Sequence, residues 1–112
     1  MAQIERRHPR LRRPLPARWV EITGPRPAKV VDLSVGGCCL QTDLTPPPLG
    51  DRVLLQLQFA DRPLVIAGKV AWAQMGTRFG VMFDVVSAEQ RARLVQQLRA
   101  AGVADPAPAA SA

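Results

Sequence analysis

From residue 17 onward, apolar and polar positions alternate in short runs, each closed by turn-forming residues, so the chain reads as a series of strands. The clearest run is Val53 to Phe59, where Val53, Leu55, Leu57 and Phe59 take turns with Leu54, Gln56 and Gln58. Period two of this kind marks a half-buried strand. Ala17 to Ile22 makes a first strand, ended by Thr23, Gly24 and Pro25. Ala28 to Leu33 makes a second, through the β-formers Val30 and Val31. After a turn over Ser34 to Gly37, Cys38 to Thr42 is a third. Pro46, Pro47 and Pro48 followed by Leu49, Gly50 and Asp51 form a connection that cannot lie in a central strand. A turn at Ala60 to Pro63 leads into Leu64 to Ala73, where Leu64, Ile66, Val70 and Trp72 share one face, which places Trp72 in the core. Thr77 to Phe83 repeats the alternation through Phe79, Val81 and Phe83.

Six short strands with tight connections point to an all-β fold, an antiparallel barrel, because closure removes exposed strand edges. The pattern then changes period. Ser87, Ala88, Glu89 and Gln90 read as a capping box, with Ser87 at the N-cap and Gln90 three residues on. The helix that follows carries an apolar stripe centred on Val95 and Leu98, flanked by Ala88, Arg91, Leu94 and Ala101. Gly102 stands where helices commonly stop. The expected organisation is a basic N-terminal arm over 1–16, a barrel with its closing helix over 17–101, and an Ala/Pro tail over 102–112 too poor in apolar bulk to order itself.

Composition narrows the function classes. At 112 residues, with 47% apolar and 21% charged residues, the chain has the make-up of one soluble domain. No apolar run approaches a bilayer span, and the start lacks the apolar core of a signal peptide. Cys38 and Cys39 are adjacent, so in a strand they face opposite ways and neither pair readily nor form a zinc site. These features predict a cytoplasmic protein with no metal and no cofactor. The net charge of +6 is unevenly placed: residues 1–20 hold six arginines against Glu5, a balance of +5, which leaves +1 for the other 92 residues. A nucleic-acid binder would spread its charge over a face or groove. Here the body is nearly neutral and the arm is basic, rich in guanidinium forks suited to phosphate and to the O6/N7 edge of guanine.

Two motifs carry the candidate chemistry. The first is Arg6-x-x-x-Arg10, within Arg6-Arg7-His8-Pro9-Arg10. The second is Asp32-x-Ser34-x-x-Gly37, within Asp32-Leu33-Ser34-Val35-Gly36-Gly37. Alone, the arginine run reads as a solvated arm and the second motif as a turn, since Asp, Ser and Gly build turns. Together, in this order ahead of short strands, they resemble the PilZ domain family, whose hallmarks are R-x-x-x-R on an N-terminal switch loop and D/N-x-S-x-x-G on the barrel. Gly68-Lys69-Val70-Ala71-Trp72, Gly80-Val81-Met82-Phe83 and Ser87 to Arg91 extend the resemblance over roughly residues 5–100.

The resemblance implies a six-stranded antiparallel PilZ-type β-barrel with a C-terminal α-helix and a flexible basic N-terminal arm, and it implies cyclic di-GMP as ligand. Arg6 and Arg10 would meet phosphate and guanine, with Arg7 beside them. Asp32, which only accepts, would take the N1–H and 2-amino donors of guanine. Ser34 would donate to a phosphate or N7, and Gly36 and Gly37 would admit a close approach. His8 and Trp72 are secondary candidates for stacking. The sequence shows no catalytic set: one histidine, no tyrosine and no paired acids arranged for proton transfer. The expected role is therefore a receptor whose arm closes on the ligand and signals to a downstream protein. Two other readings are a PilZ-like adaptor that binds no ligand, against which the intact motifs stand, and a nucleic-acid module using the basic arm, against which the neutral body stands.

Overall fold

The computed structural model describes residues 10–21, 23–74 and 77–100. Six strands follow one another: β1 (Arg10–Glu21), β2 (Gly24–Leu33), β3 (Gly37–Gln41), β4 (Arg52–Leu57), β5 (Leu64–Gln74) and β6 (Arg78–Phe83). A single described helix, α1 (Ala88–Ala100), ends the order. The strands close into a barrel in the order β1-β2-β3-β6-β5-β4, with β4 returning to β1 and every pairing antiparallel. The expected all-β barrel with one C-terminal helix is the fold observed.

Alternation accounts for the core. Ala17 and Trp19 of β1, Val30 and Leu33 of β2, and Cys38 and Leu40 of β3 face inward. They meet Val53, Leu55 and Leu57 of β4, Ile66 and Val70 of β5, and Phe79, Val81 and Phe83 of β6. Trp19 and Phe79, both fully buried, meet edge to face at 5.1 Å and 75°. The Trp19 indole N–H donates to Glu21 Oε2 at 3.0 Å, so its one polar atom is satisfied.

Two strand starts differ from the sequence expectation. β1 begins at Arg10, not Ala17, and β2 at Gly24, not Ala28, so the strand runs back through residues 10–16. Pro14 and Pro16 both lie within β1. Pro16 is tolerated because its backbone polar side faces the position just past the end of β4, where its carbonyl accepts from Gln58 N at 3.0 Å. Pro25 and Pro27 lie where β2 pairs with β1 but not yet with β3. In both cases the missing N–H falls where no ladder bond is required.

The capping box forms as the sequence predicts: Gln90 N donates to Ser87 Oγ at 3.0 Å, and Ser87 N donates to Gln90 Oε1 at 2.9 Å. The helix closes one end of the barrel, over the β4–β5 turn. Its buried stripe is Leu94 and Leu98, with Val95 only half-buried, a shift of one residue from the expected centre. Arg93 fixes the dock. Its guanidinium donates to Pro63 O at 3.1 Å, Arg62 O at 2.7 Å and Asp61 Oδ1 at 3.1 Å, and it lies 5.6 Å from the Phe59 ring centroid.

Candidate ligand-binding face

The regular ladder fails on the wall formed by β2, β3, β6 and β5. Between Val30 and Asp32 the β2–β3 register slips by one residue, and between Val70 and Trp72 the β5–β6 register does the same. Each slip is a β-bulge, and a bulge reverses the inward–outward phase of everything beyond it. For β5 the result corrects the sequence reading: Trp72 is not in the core. It stands on the outer face with 44% of its surface exposed.

The bulges align one outward row across the barrel wall. Asp32 of β2 is opposite Cys39 of β3, Cys39 is opposite Gly80 of β6, and Gly80 is opposite Trp72 of β5; in the β1–β2 backbone register Asp32 is also opposite Arg10. Arg10 and Asp32, one from each sequence motif, are thus neighbours in the ladder. A further β1–β2 irregularity lies between Arg10 and Leu15, so three departures from regular pairing meet along this row.

The β2–β3 turn forms the rim. Ser34 N donates to Gly37 O at 2.9 Å, Gly36 N donates to Ser34 Oγ at 3.1 Å, and Ser34 Oγ contacts Gly37 O at 3.4 Å. Those bonds make Ser34 a builder of the turn, the role that its residue type suggests before any ligand is considered. Phe83 N donates to Gly36 O at 2.9 Å and ties the turn to β6. Gly37 is required by space: a Cβ there would run into Val81 O and lie 3.4 Å from Met82 Cα. Gly36 is exposed, with nothing nearer to an added Cβ than Ser34 Oγ at 3.9 Å.

Between this rim and Trp72 runs an open cleft of about 380 Å³, walled by Ser34, Gly36, Trp72 and Met82 and floored by Gly80 and Val81. Met82 is 61% exposed. It stands opposite Gly37 in the β3–β6 ladder, on the next outward row. Cys38 and Cys39 are both buried free thiols on opposite faces of β3, as their adjacency predicts. Burial, reinforced by Cys39, pushes the Cys38 thiol far up, so it stays neutral and acts as a small core side chain.

The structure therefore brings together Asp32, Ser34, Gly36, Gly37 and Trp72, with Arg10 in register beside Asp32. Arg6, Arg7 and His8 lie outside the described residues. Cys39, Gly80 and Met82 are members of this face that sequence reasoning did not single out. A glycine at an outward position of an otherwise apolar strand, opposite an aromatic residue, was the available signal for Gly80.

The backbone register that sets Asp32 opposite Arg10, a glycine-rich turn and an aromatic wall around an open cleft mark a candidate binding face on a small β-barrel. Comparison with known proteins gives that class its name. The PilZ domain family model matches residues 4–100, and the chain belongs to that family. Solved structures share the fold at low sequence identity. The PilZ domain with c-di-GMP of YcgR from Escherichia coli is 14% identical with a TM-score of 0.74, over 88% of this chain and 92% of that one. The PilZ domain of CeSA from a cellulose-synthesizing bacterium is 15% identical with a TM-score of 0.65, over 82% and 96%. The apo state of MrkH from K. pneumonia is 17% identical with a TM-score of 0.68, over 90% of this chain but 52% of that protein. Comparison with curated protein sequences finds no match. Among the described residues no helix is long and apolar enough to cross a membrane.

Proposed function

We propose that this protein is a cyclic di-GMP receptor and not an enzyme, with the ligand seated in the cleft between the β2–β3 turn and Trp72. The observation that carries the reading is the ladder pairing of Arg10 with Asp32, which sets a member of each sequence motif side by side at one end of the outward row. The ligand brings two phosphodiester charges and two guanines. Arg6, Arg7 and Arg10 supply forks for phosphate and for guanine O6/N7. Asp32 accepts from guanine N1–H and N2–H, and the backbone N–H groups around Gly36 and Gly37 receive a phosphate oxygen at close approach. Ser34 holds that turn in shape and offers its hydroxyl to the cleft, Trp72 offers a ring face for stacking, and His8 is a further stacking candidate.

The comparisons support this reading at the level of the ligand class: a YcgR structure of the same fold is a complex with c-di-GMP. In the proposed mechanism the segment before Arg10 closes over the bound ligand, and the covered cleft becomes a new surface for a downstream protein. Isothermal calorimetry with cyclic di-GMP tests it. Saturable binding at micromolar ligand, lost in an Arg6→Ala/Arg10→Ala variant and absent with linear GpG, is expected. No saturable heat, or equal binding by the double variant, defeats the proposal. Binding that falls steeply with salt and does not prefer the cyclic dinucleotide favours the nucleic-acid reading instead.

A further inference from the structure

Gly80 poses a separate question, because its backbone does not need glycine. Among the described residues only Gly24 and Gly50 have positive φ, so Gly80 adopts ordinary strand geometry that any L-residue accepts. Space is what excludes a side chain there. A Cβ built on Gly80 would overlap the Trp72 indole at Nε1 and lie 2.5 Å from Cε2 and 2.8 Å from Cδ1, and these are its three nearest atoms. The two carbons flanking Nε1 are nearly as close as the nitrogen itself. That spacing belongs to a methyl set over the ring, not at its rim, so the indole lies across Gly80 with one face against the sheet.

The bulge at Val70–Trp72 turns the Trp72 side chain outward, and Gly80 sits directly opposite in the ladder. Trp72 keeps 44% of its surface exposed and lines the cleft. We infer that Gly80 is a positioning residue: its missing side chain lets Trp72 lie down on the sheet and present a preformed face on which one purine of the ligand stacks. A ring already held against the wall loses little freedom on binding, whereas an indole displaced into solvent must be ordered by the ligand. The inference rests on the receptor reading for its ligand, but the seat of the indole is a property of the protein alone.

Two measurements separate those parts. In the ligand-free protein, acrylamide quenching of tryptophan fluorescence reports Trp72 selectively, because Trp19 is fully buried. Gly80→Ala is expected to raise the quenching constant toward that of a solvated indole, and an unchanged constant overturns the inference whether or not any ligand binds. A double-mutant cycle on cyclic di-GMP affinity then reads the coupling. Trp72→Ala should weaken binding by about tenfold, the loss of one base–aromatic stack. Gly80→Ala should weaken it by about as much in the parent, and by no more than about twofold once Trp72 is alanine. An equal effect of Gly80→Ala in both backgrounds contradicts a role through Trp72. Should Gly80→Ala alone fail to fold, recovery of folding in Trp72→Ala/Gly80→Ala supports the same contact, and failure to recover refutes it. Absence of ligand binding by the parent protein defeats the receptor reading and the stacking part of the inference, and leaves the quenching result to decide the seat.

Discussion

The α1 end of the barrel and the β3–β6 wall are built from the same strands by opposite rules. At the α1 end the alternation is kept, the helix buries Leu94 and Leu98, and the Arg93 guanidinium meets two carbonyls, one carboxylate and one ring. On the β3–β6 wall the register slips on both sides, an indole and a thioether face solvent, and a cleft stays open. In the proposed receptor, regular pairing serves stability and its interruption serves recognition. A bulge carries a side chain that the pattern assigns to the core across to the surface without disturbing the strands on either side.

That contrast makes separable predictions. The largest effect belongs to Leu94→Ala, which leaves a cavity under the helix and should cost about 2–5 kcal/mol of unfolding free energy. Chemical denaturation should show this loss while the ligand dissociation constant of the folded fraction stays at its parent value. Asp32→Ala should do the reverse. Loss of a charged acceptor for guanine weakens cyclic di-GMP binding by about 10–100-fold, and calorimetry beside thermal melts should find a smaller change in stability than Leu94→Ala gives. Arg93→Ala comes next, at about 1–3 kcal/mol for its charged hydrogen bonds. Arg93→Lys should restore only part of this, since an ammonium cannot span the three oxygens as the planar fork does.

The smallest effect concerns pH and lies on the inward side of the wall. The folded Cys38 thiol is held far above its ordinary value of 9.0 by burial. Below that value both folded and unfolded thiols are protonated, and the group adds no pH dependence. Above it the unfolded chain releases the proton and the folded chain keeps it, so stability falls as pH rises, by up to about 1.4 kcal/mol per unit. Urea melts at about pH 8 and about pH 10 should show this slope in the parent, and Cys38→Val should flatten it.

Most of the barrel was legible because β4 and β6 carry an inward-facing alternation and turn residues separate the other apolar runs, and the helix start was legible down to the reciprocal bonds of Ser87 and Gln90. Trp72 was misplaced for a physical reason. Ala71 and Ala73 flank it without a polar marker, so nothing in β5 reveals that the phase reverses after Val70. The early start of β1 was hidden by Pro14 and Pro16, whose missing donors matter only where a neighbouring strand needs them. In α1, Leu94 and Val95 are adjacent apolar residues among alanines and polar side chains, and only the dock against the β4–β5 turn decides between them. The second motif could be read as residues but not as geometry. That Asp32 faces Arg10 on one side and Cys39 on the other follows from a bulge the letters do not announce.

The central claim is that the bulged wall, and not the α1 end, receives the ligand. Backbone amide chemical shifts recorded during titration with cyclic di-GMP address it directly. The account predicts that saturable shifts concentrate at residues 31–39, 71–74 and 78–82, with residues 59–65 and 90–98 unmoved. Shifts centred on the β4–β5 turn and α1, with the row from Asp32 to Trp72 silent, would contradict it.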